Sequence, residues 1–281
     1  MSKKTLKELT LKDNFLFGAV MSDEENCRRF LEMVLQMPIE KVEVCQEKYI
    51  HYHPEYKGIR LDVYAKDEKQ THYNVEMQAV QSSVLEKRTR YYHSQIDMEL
   101  LLRGADYAEL PNSYVIFVCD FDPFGEGRYC YTFEERCVEK TNLCLKTGSK
   151  SIFLSTHGKN DTEVPKEMVK FLNYVKADLV ESIQDFNDDF VKQLQSSVQF
   201  IKESREWEER FMVLHEMLRD ERAEGKAEGK AEAVLELLEE LGTIPENLRE
   251  KIIKETDMDI LKQWHKLAAK TISIEQFLKD M

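Results

Sequence analysis

Two carboxylates and one amide stand at a spacing that could support metal-dependent chemistry. Asp62 lies in the segment IRLDVYA, and Glu76 and Gln78 lie in the segment HYNVEMQA. Successive side chains of a strand point to opposite faces, so the alternation in both segments places the three residues on the polar faces of two strands. Asp62 and Glu76 are 14 residues apart. Their carboxylates could therefore converge across a tight connection.

Such oxygen ligands suit a hard divalent cation, Mg²⁺ or Mn²⁺, that keeps several of its waters. The cation would polarise a phosphate and lower the pKa of a bound water, so phosphodiester hydrolysis would need no protein nucleophile. The sequence offers no convincing Ser/His/Asp or Cys/His set. The alternative is that both acids lie on the solvated face of a half-exposed hairpin, and spacing alone favours that alternative.

The segments that must position these residues alternate between helix and strand patterns. Apolar residues at helical spacing before Pro38 predict one or two helices, and the proline-free stretch 82–108 predicts a long helix. Strand patterns occupy residues 42–53, 59–67, 71–80, 113–121, 128–137 and 150–156. A polar turn separates the second strand from the third, which predicts a hairpin. This order of elements predicts a mixed α/β sandwich.

The chain follows a helical pattern almost throughout beyond residue 163. Its stretch RAEGKAEGKAEA, at 222–233, is too polar to bury a face and predicts a solvated connecting helix. We therefore expect a main domain at 1–200, a charged helical linker at 201–233 and a small helical module at 234–281.

The composition restricts the class of protein. No apolar run is long enough to cross a membrane and the first residues lack the apolar block of a signal peptide, so we expect a globular cytoplasmic protein. The net charge of −13 argues against a protein that coats nucleic acid by bulk electrostatics. Residues 1–150 carry 21 basic and 25 acidic side chains, a net of −4, which leaves −9 for residues 151–281. A polyanion site therefore belongs in the first half.

The string GIRLDVYAKDEKQTHYNVEMQAV resembles the Asp…Glu-X-Gln form of the PD-(D/E)XK nuclease superfamily, and especially its Rpn-like recombination-promoting nuclease or transposase family. The segments LKDNFLFGAVM, RTRYYHSQIDMELLLRGADYAEL and YVIFVCDFDPFG, and the later Glu-Gly-Lys repeats, are also similar to that family. The resemblance covers nearly the whole chain. It implies a restriction-endonuclease-like α/β core with an α-helical C-terminal extension, DNA as substrate and a divalent metal as cofactor.

The resemblance also implies roles for particular residues. Asp62 and Glu76 would be metal ligands, and Gln78 would take the place of the superfamily lysine, where it orients the attacking water or contacts the phosphate. Glutamine can donate a hydrogen bond but brings no positive charge to the phosphate, which predicts slow turnover or loss of activity. Asp13 stands where such families often bring an acid towards the metal. The alternative for Asp13 is an acid favoured at the start of a helix by the helix dipole.

A basic and aromatic patch is the best candidate for DNA contact. Lys87, Arg88 and Arg90 supply three cations within four residues, and Tyr91 follows them. The alternative is a mixed amphipathic helix in which Tyr92 packs inward. The resemblance places this helix beside the metal site, which favours the DNA contact.

A zinc site is a further hypothesis. His51 and His53 could share one strand face, but a zinc site there lacks a third ligand.

The leading function is a metal-dependent DNA endonuclease. The alternative is a degenerate nuclease fold that acts as a DNA-binding or protein-interaction module, with the helical C-terminal region holding partners or a second copy of the chain.

Overall fold

The computed structural model describes residues 4–50 and 57–281. The chain divides into two compact units, one extending through Trp207 and the other running from Glu208 to Met281. Within the described residues, no helix has both the length and the apolar character that a membrane span needs. The three-part organisation with limits at 200 and 233 stays a prediction.

A mixed sheet forms the centre of the first unit, and six strands of it lie in the described residues. The strands are β1 (Val42–Ile50), β2 (Ile59–Asp67), β3 (His72–Gln78), β4 (Ser113–Cys119), β5 (Cys130–Phe133) and β6 (Ser149–Ser155), in the spatial order β1-β2-β3-β4-β6-β5. The first three strands pair antiparallel, β3, β4 and β6 run parallel, and β5 pairs antiparallel with β6. The predicted mixed α/β fold is confirmed.

The turn between β2 and β3 is fixed by local hydrogen bonds. Asp67 Oδ1 accepts from the backbone N–H groups of Lys69, at 2.9 Å, and Thr71, at 2.8 Å. Gln70 takes a left-handed backbone conformation with φ of 61°. Strand register then follows, with Val63 opposite Val75. The predicted hairpin is confirmed, and its register determines which polar side chains meet.

Helices pack against this sheet. They are α1 (Asn14–Met21), α2 (Glu24–Leu35), α3 (Leu85–Leu100), α4 (Lys166–Lys176) and α5 (Asp189–Glu203). Every residue from His72 to Met77 in β3 is buried, as expected of a strand covered on both faces. On one face, α3 places Tyr92 and Ile96 against Phe117 and Phe153 of the sheet. α3 therefore covers the polar face predicted to hold the site.

Helix α3 is shorter than the sequence predicts, ending at Leu100 rather than near residue 108. Leu101 is already extended, and Gly104 has a φ of 91°, which a right-handed helix cannot contain. The absence of proline before Pro111 made the helix look continuous. Gly104 was the signal that it ends earlier.

The second unit is helical and has its own apolar core. It contains most of α6 (Arg205–Glu239), together with α7 (Glu246–Ile253), α8 (Met258–Ala268) and α9 (Ile274–Asp280). The prediction that the Ala-Glu-Gly-Lys repeats are too polar to bury a face is wrong. Ala227 and Ala231, one helical turn apart, are buried in the cluster that contains Trp264 and Phe277. A stripe of small alanine side chains was enough to allow packing.

Candidate active site

Asp62 and Glu76 lie on neighbouring strands of the β2–β3 hairpin. Because Val63 lies opposite Val75, continuing the register by one residue sets Asp62 opposite Glu76, and opposed residues share a sheet face. The Asp62 backbone N–H donates to Glu76 Oε1 at 3.3 Å. The sequence spacing thus led to the right neighbours.

This polar face is not solvated. The Glu76 side chain is 1% exposed and Asp62 is 9% exposed. The half-exposed hairpin that spacing alone favoured is therefore wrong. Burial raises the pKa of the Glu76 carboxyl above its ordinary value, while Arg88, Asn74 and the Asp62 backbone act in the opposite direction. A buried carboxylate needs partners, and Glu76 has several.

Arg88 is the main partner of Glu76. Its Nη2 donates to Glu76 Oε2 at 2.5 Å, its Nη1 donates to Gln78 Oε1 at 3.0 Å, and its Nε donates to the Tyr92 hydroxyl at 2.8 Å. The guanidinium also lies over the rings of Tyr92 and Phe117. Sequence reasoning assigned Arg88 to an exposed DNA patch, whereas the structure turns it inward to the carboxylate site.

Gln78 lies at the end of β3, beside the buried acid. Its Nε2 donates to the Val80 carbonyl at 2.8 Å, and its Oε1 accepts from Arg88. The amide is therefore held at both ends. Gln78 is half-buried, so this part of the site lies nearer to solvent than Glu76 does.

Asn74 is a residue of the site that sequence reasoning missed. It is fully buried, and its Nδ2 donates to Glu76 Oε1 at 3.1 Å. Its Oδ1 is buried and accepts no hydrogen bond from the described residues. Since an amide must turn its donor towards a carboxylate, the oxygen is the atom left over. The signal was present in the alternation, because Asn74 stands two residues before Glu76 on the same face.

Asp13 is not brought into this group. It is the N-cap of α1, where its Oδ1 accepts from the backbone N–H of Phe15 at 3.1 Å. The geometry of Asp13 is that of the helix-start alternative. The described residues contain no cluster of three or more His, Cys, Asp or Glu side chains placed to hold a metal. The histidines considered for a zinc site, His51 and His53, lie outside the described residues.

The remaining residues of the predicted DNA patch differ in exposure. Lys87 and Arg90 are exposed on α3. Tyr91 is half-buried, and its hydroxyl donates to the Lys57 carbonyl at 2.5 Å. Tyr92 is buried and packs inward, as the amphipathic alternative expected. Lys87 and Arg90 are thus the members of the predicted patch that face solvent.

Comparison with known proteins identifies one family. The model of the PD-(D/E)XK nuclease family transposases matches residues 11–228, which include both strands of the hairpin and helix α3. Neither the curated proteins nor the solved structures gave a match. The sheet, its flanking helices and the C-terminal helices are consistent with the restriction-endonuclease-like α/β fold. The chain belongs to the PD-(D/E)XK nuclease family transposases.

Proposed function

We propose that the protein is a metal-dependent DNA endonuclease that hydrolyses phosphodiester bonds through Asp62, Glu76 and Gln78. The observation that carries the proposal is the buried Glu76 carboxylate beside Asp62, on the hairpin of a chain whose family is named for nuclease chemistry. A buried carboxylate is costly unless it is paired with another group or coordinates a metal. Binding a metal would offset this cost for Asp62 and Glu76.

The donor set suits a hard divalent cation. Asp62 and Glu76 offer carboxylate oxygens, and the buried Asn74 Oδ1 has no hydrogen-bond donor among the described residues. Oxygen ligands of this type favour Mg²⁺ or Mn²⁺ over the softer metals that thiolates select. We therefore assign Asp62 and Glu76 as ligands of Mg²⁺ or Mn²⁺. Asp13 caps α1 and, within the described part of the chain, forms no cluster with them, so we do not assign it as a ligand.

The reaction divides between the cation and the side chains of this chain. The bound cation supplies Lewis-acid activation of the phosphate and of a water. Gln78, with its amide held by Arg88 and by the Val80 carbonyl, orients the water or contacts the phosphate. Lys87 and Arg90 project outward from α3 and contact the DNA backbone, with Tyr91 beside them.

Nicking of supercoiled plasmid by the full chain in Mg²⁺ or Mn²⁺ tests this function. Wild type should nick the plasmid, and the nearly isosteric variants Asp62→Asn and Glu76→Gln should lose the activity. Glu43→Gln is the matched control, because Glu43 is an exposed acid on the neighbouring strand β1. Equal nicking by all four proteins would reject the site, and no nicking by wild type would reject the endonuclease.

One observation favours the second candidate, a non-cutting DNA-binding or protein-interaction module. Glu76 Oε2 already forms an ion pair with the Arg88 guanidinium, so the charge of the carboxylate is balanced without a metal. Wild type that binds DNA equally with and without Mg²⁺ and never nicks it would support this candidate. In either case, association of two copies through the C-terminal helices is a proposal that light scattering of the full chain tests.

A further inference from the structure

Because residue 78 is a glutamine, it brings no positive charge to the proposed site. During phosphodiester hydrolysis negative charge develops on the phosphate, and a fixed cation aimed at it lowers the barrier. The Gln78 amide can donate a hydrogen bond but carries no charge. If the proposed function holds, some other group should supply the cation.

Arg88 places a cation at this position. Its guanidinium is within hydrogen-bond distance of Gln78 Oε1 and of Glu76 Oε2, so it lies against both of the residues assigned to the β3 part of the site. It reaches them from helix α3, a different element from the strand that carries Gln78. The charge therefore sits beside the amide rather than on it.

The guanidinium is held in a fixed direction. The Tyr92 hydroxyl accepts from Nε, and the guanidinium carbon lies 5.1 Å from the Tyr92 ring centroid and 5.4 Å from that of Phe117. Those two rings stack with an interplanar angle of 23°. Such a platform fixes the fork of donors before a substrate arrives, which is what electrostatic catalysis requires.

Arg88 also keeps unused donors and access to solvent. An arginine side chain has five N–H donors, and the bonds to Glu76, Gln78 and Tyr92 use three of them. Its side chain is 32% exposed, whereas that of Glu76 is 1% exposed. Two N–H groups are therefore not used by these three bonds, on a side chain that stays partly exposed.

We propose that Arg88 is a catalytic residue that binds a non-bridging oxygen of the scissile phosphate and supplies the positive charge that Gln78 lacks. This rests on the proposed endonuclease function. The water oxygen bonds to phosphorus as the bond from phosphorus to the leaving sugar oxygen breaks. The water proton passes to solvent, and the leaving oxygen takes a proton from solvent. Arg88 stays protonated throughout, because guanidinium does not titrate in proteins.

A purely structural role of Arg88 predicts a different experimental result. If Arg88 only holds Glu76 in place, then removing it weakens metal binding, and saturating metal restores the rate. If Arg88 acts on the phosphate, the rate falls even when the metal site is full. Metal affinity measured without DNA and kcat measured at saturating metal therefore separate the two roles.

The test uses Arg88→Gln, Arg88→Lys, Gln78→Lys and the double variant Arg88→Gln/Gln78→Lys in the full chain. We expect Arg88→Gln to lower kcat by about 100-fold or more at saturating Mg²⁺, as for loss of one transition-state donor. Mg²⁺ affinity by calorimetry should stay within about threefold or tighten, since a cation competing for Glu76 is gone. Gln78→Lys in that background should restore kcat at least about tenfold by returning a cation to the site.

The outcomes are separable from those of the proposed function. Inactive wild type overturns both proposals, whereas active wild type with inactive Asp62→Asn upholds the function and leaves the Arg88 variants to decide the second proposal. A kcat for Arg88→Gln close to that of wild type overturns the role of Arg88, as does recovery at high Mg²⁺. Should Arg88→Gln fail to fold, Arg88→Lys decides. It keeps the charge but loses the fork, so its kcat at saturating Mg²⁺ should stay within about tenfold of wild type, and a loss of about 100-fold or more would overturn the claim that positive charge is what Arg88 supplies.

Discussion

Glu76 and Arg88 form an ion pair 2.5 Å long, between a glutamate side chain that is 1% exposed and an arginine side chain that is 32% exposed. The pair joins the centre of the sheet to helix α3. A buried pair of this kind adds less to stability than its Coulomb energy suggests, but breaking it leaves a charge without compensation. Its energetic role can therefore be measured apart from catalysis.

A double-mutant cycle tests that role. Arg88→Gln should lower the free energy of unfolding by about 3 kcal/mol, because Glu76 then remains buried without its cation. Adding Glu76→Gln should recover at least half of that loss, since the charge is removed together with its partner. Urea denaturation of the four proteins gives the coupling energy. A coupling near zero would mean that water or another group already compensates Glu76.

Metal binding should stabilise the folded chain. A ligand at a concentration about 100 times its Kd raises the free energy of unfolding by about 2.7 kcal/mol. We expect Mg²⁺ or Mn²⁺ to raise the thermal midpoint of wild type by several degrees, since about 1 kcal/mol shifts a domain of this size by roughly 2–4 °C. Asp62→Asn should abolish the shift, while Glu43→Gln should retain it. An equal shift in Asp62→Asn would place the metal elsewhere.

The exposed cations of α3 should contribute to DNA affinity without reading sequence. Removing a single cation that binds a phosphate reduces the slope of log K against log salt by about 0.9. Lys87→Gln and Arg90→Gln should each weaken binding by a similar factor on unrelated duplexes and flatten the slope by about one unit. Lys41→Gln is the control, because Lys41 is exposed beside the Asp67 end of β2. Unchanged slopes in both α3 variants would exclude this helix from the DNA surface.

The sequence predicted the hairpin and its carboxylates because alternation and turn residues are local signals. Asp62 and Glu76 became neighbours through a register that the polar turn fixes. The burial of the same face was not predictable from alternation, since it depends on α3 folding back over the sheet, a contact between distant segments. Polar residues on a strand indicate a solvent-exposed face unless the element that covers them is known.

The position of Arg88 shows the same limit in a helix. Three cations in sequence looked like one patch, but one residue on a helix turns by about 100°, so neighbouring side chains cannot all face one way. Leu85, Arg88, Tyr92 and Ile96 follow the inward stripe at three- and four-residue spacing. The helical period therefore contained the inward direction of Arg88. Its partners on β3 could not be known before the fold.

His93 should make stability depend on pH. Burial lowers its pKa to about 4 from an ordinary value of 6.5, and its ring nitrogens contact the hydroxyls of Ser113, at 3.0 Å, and Ser151, at 3.2 Å. As pH falls from 6.5 towards 4, the unfolded chain binds a proton that the folded chain does not, so stability falls with pH. The loss attributable to this group is at most roughly 3 kcal/mol.

His93→Gln tests the assignment, because glutamine keeps hydrogen bonding but does not titrate. Denaturation at about pH 4.5 and about pH 7 should show a smaller loss of stability in the variant than in wild type. His93 and Asp97 line one cavity, and burial raises the pKa of the Asp97 carboxyl, so Asp97→Asn is measured in parallel to separate the two groups. A wild-type pH dependence that survives unchanged in His93→Gln would assign it to other residues.

Two glycines, one inside a helix and one in a loop, should respond to alanine in opposite directions. Gly229 lies inside α6, and a Cβ added there meets no atom within 4 Å. Gly229→Ala should therefore stabilise the second unit by about 0.5–1 kcal/mol, because alanine loses less backbone entropy in a helix. A Cβ on Gly158 would lie 2.3 Å from the ring of Tyr129, which is 6% exposed. Gly158→Ala should therefore destabilise the first unit.

Trp264 and Trp207, the two tryptophans of the chain, report on the two units separately. In variants that retain one tryptophan each, Gly229→Ala should move the Trp264 transition to higher urea and leave the Trp207 transition in place. Gly158→Ala should lower the Trp207 transition. A gain from Gly229→Ala requires the repeat segment to be a formed helix in the native protein. If Gly229→Ala left both transitions unchanged, the Ala-Glu-Gly-Lys repeats would not contribute helical structure to the stability of the second unit.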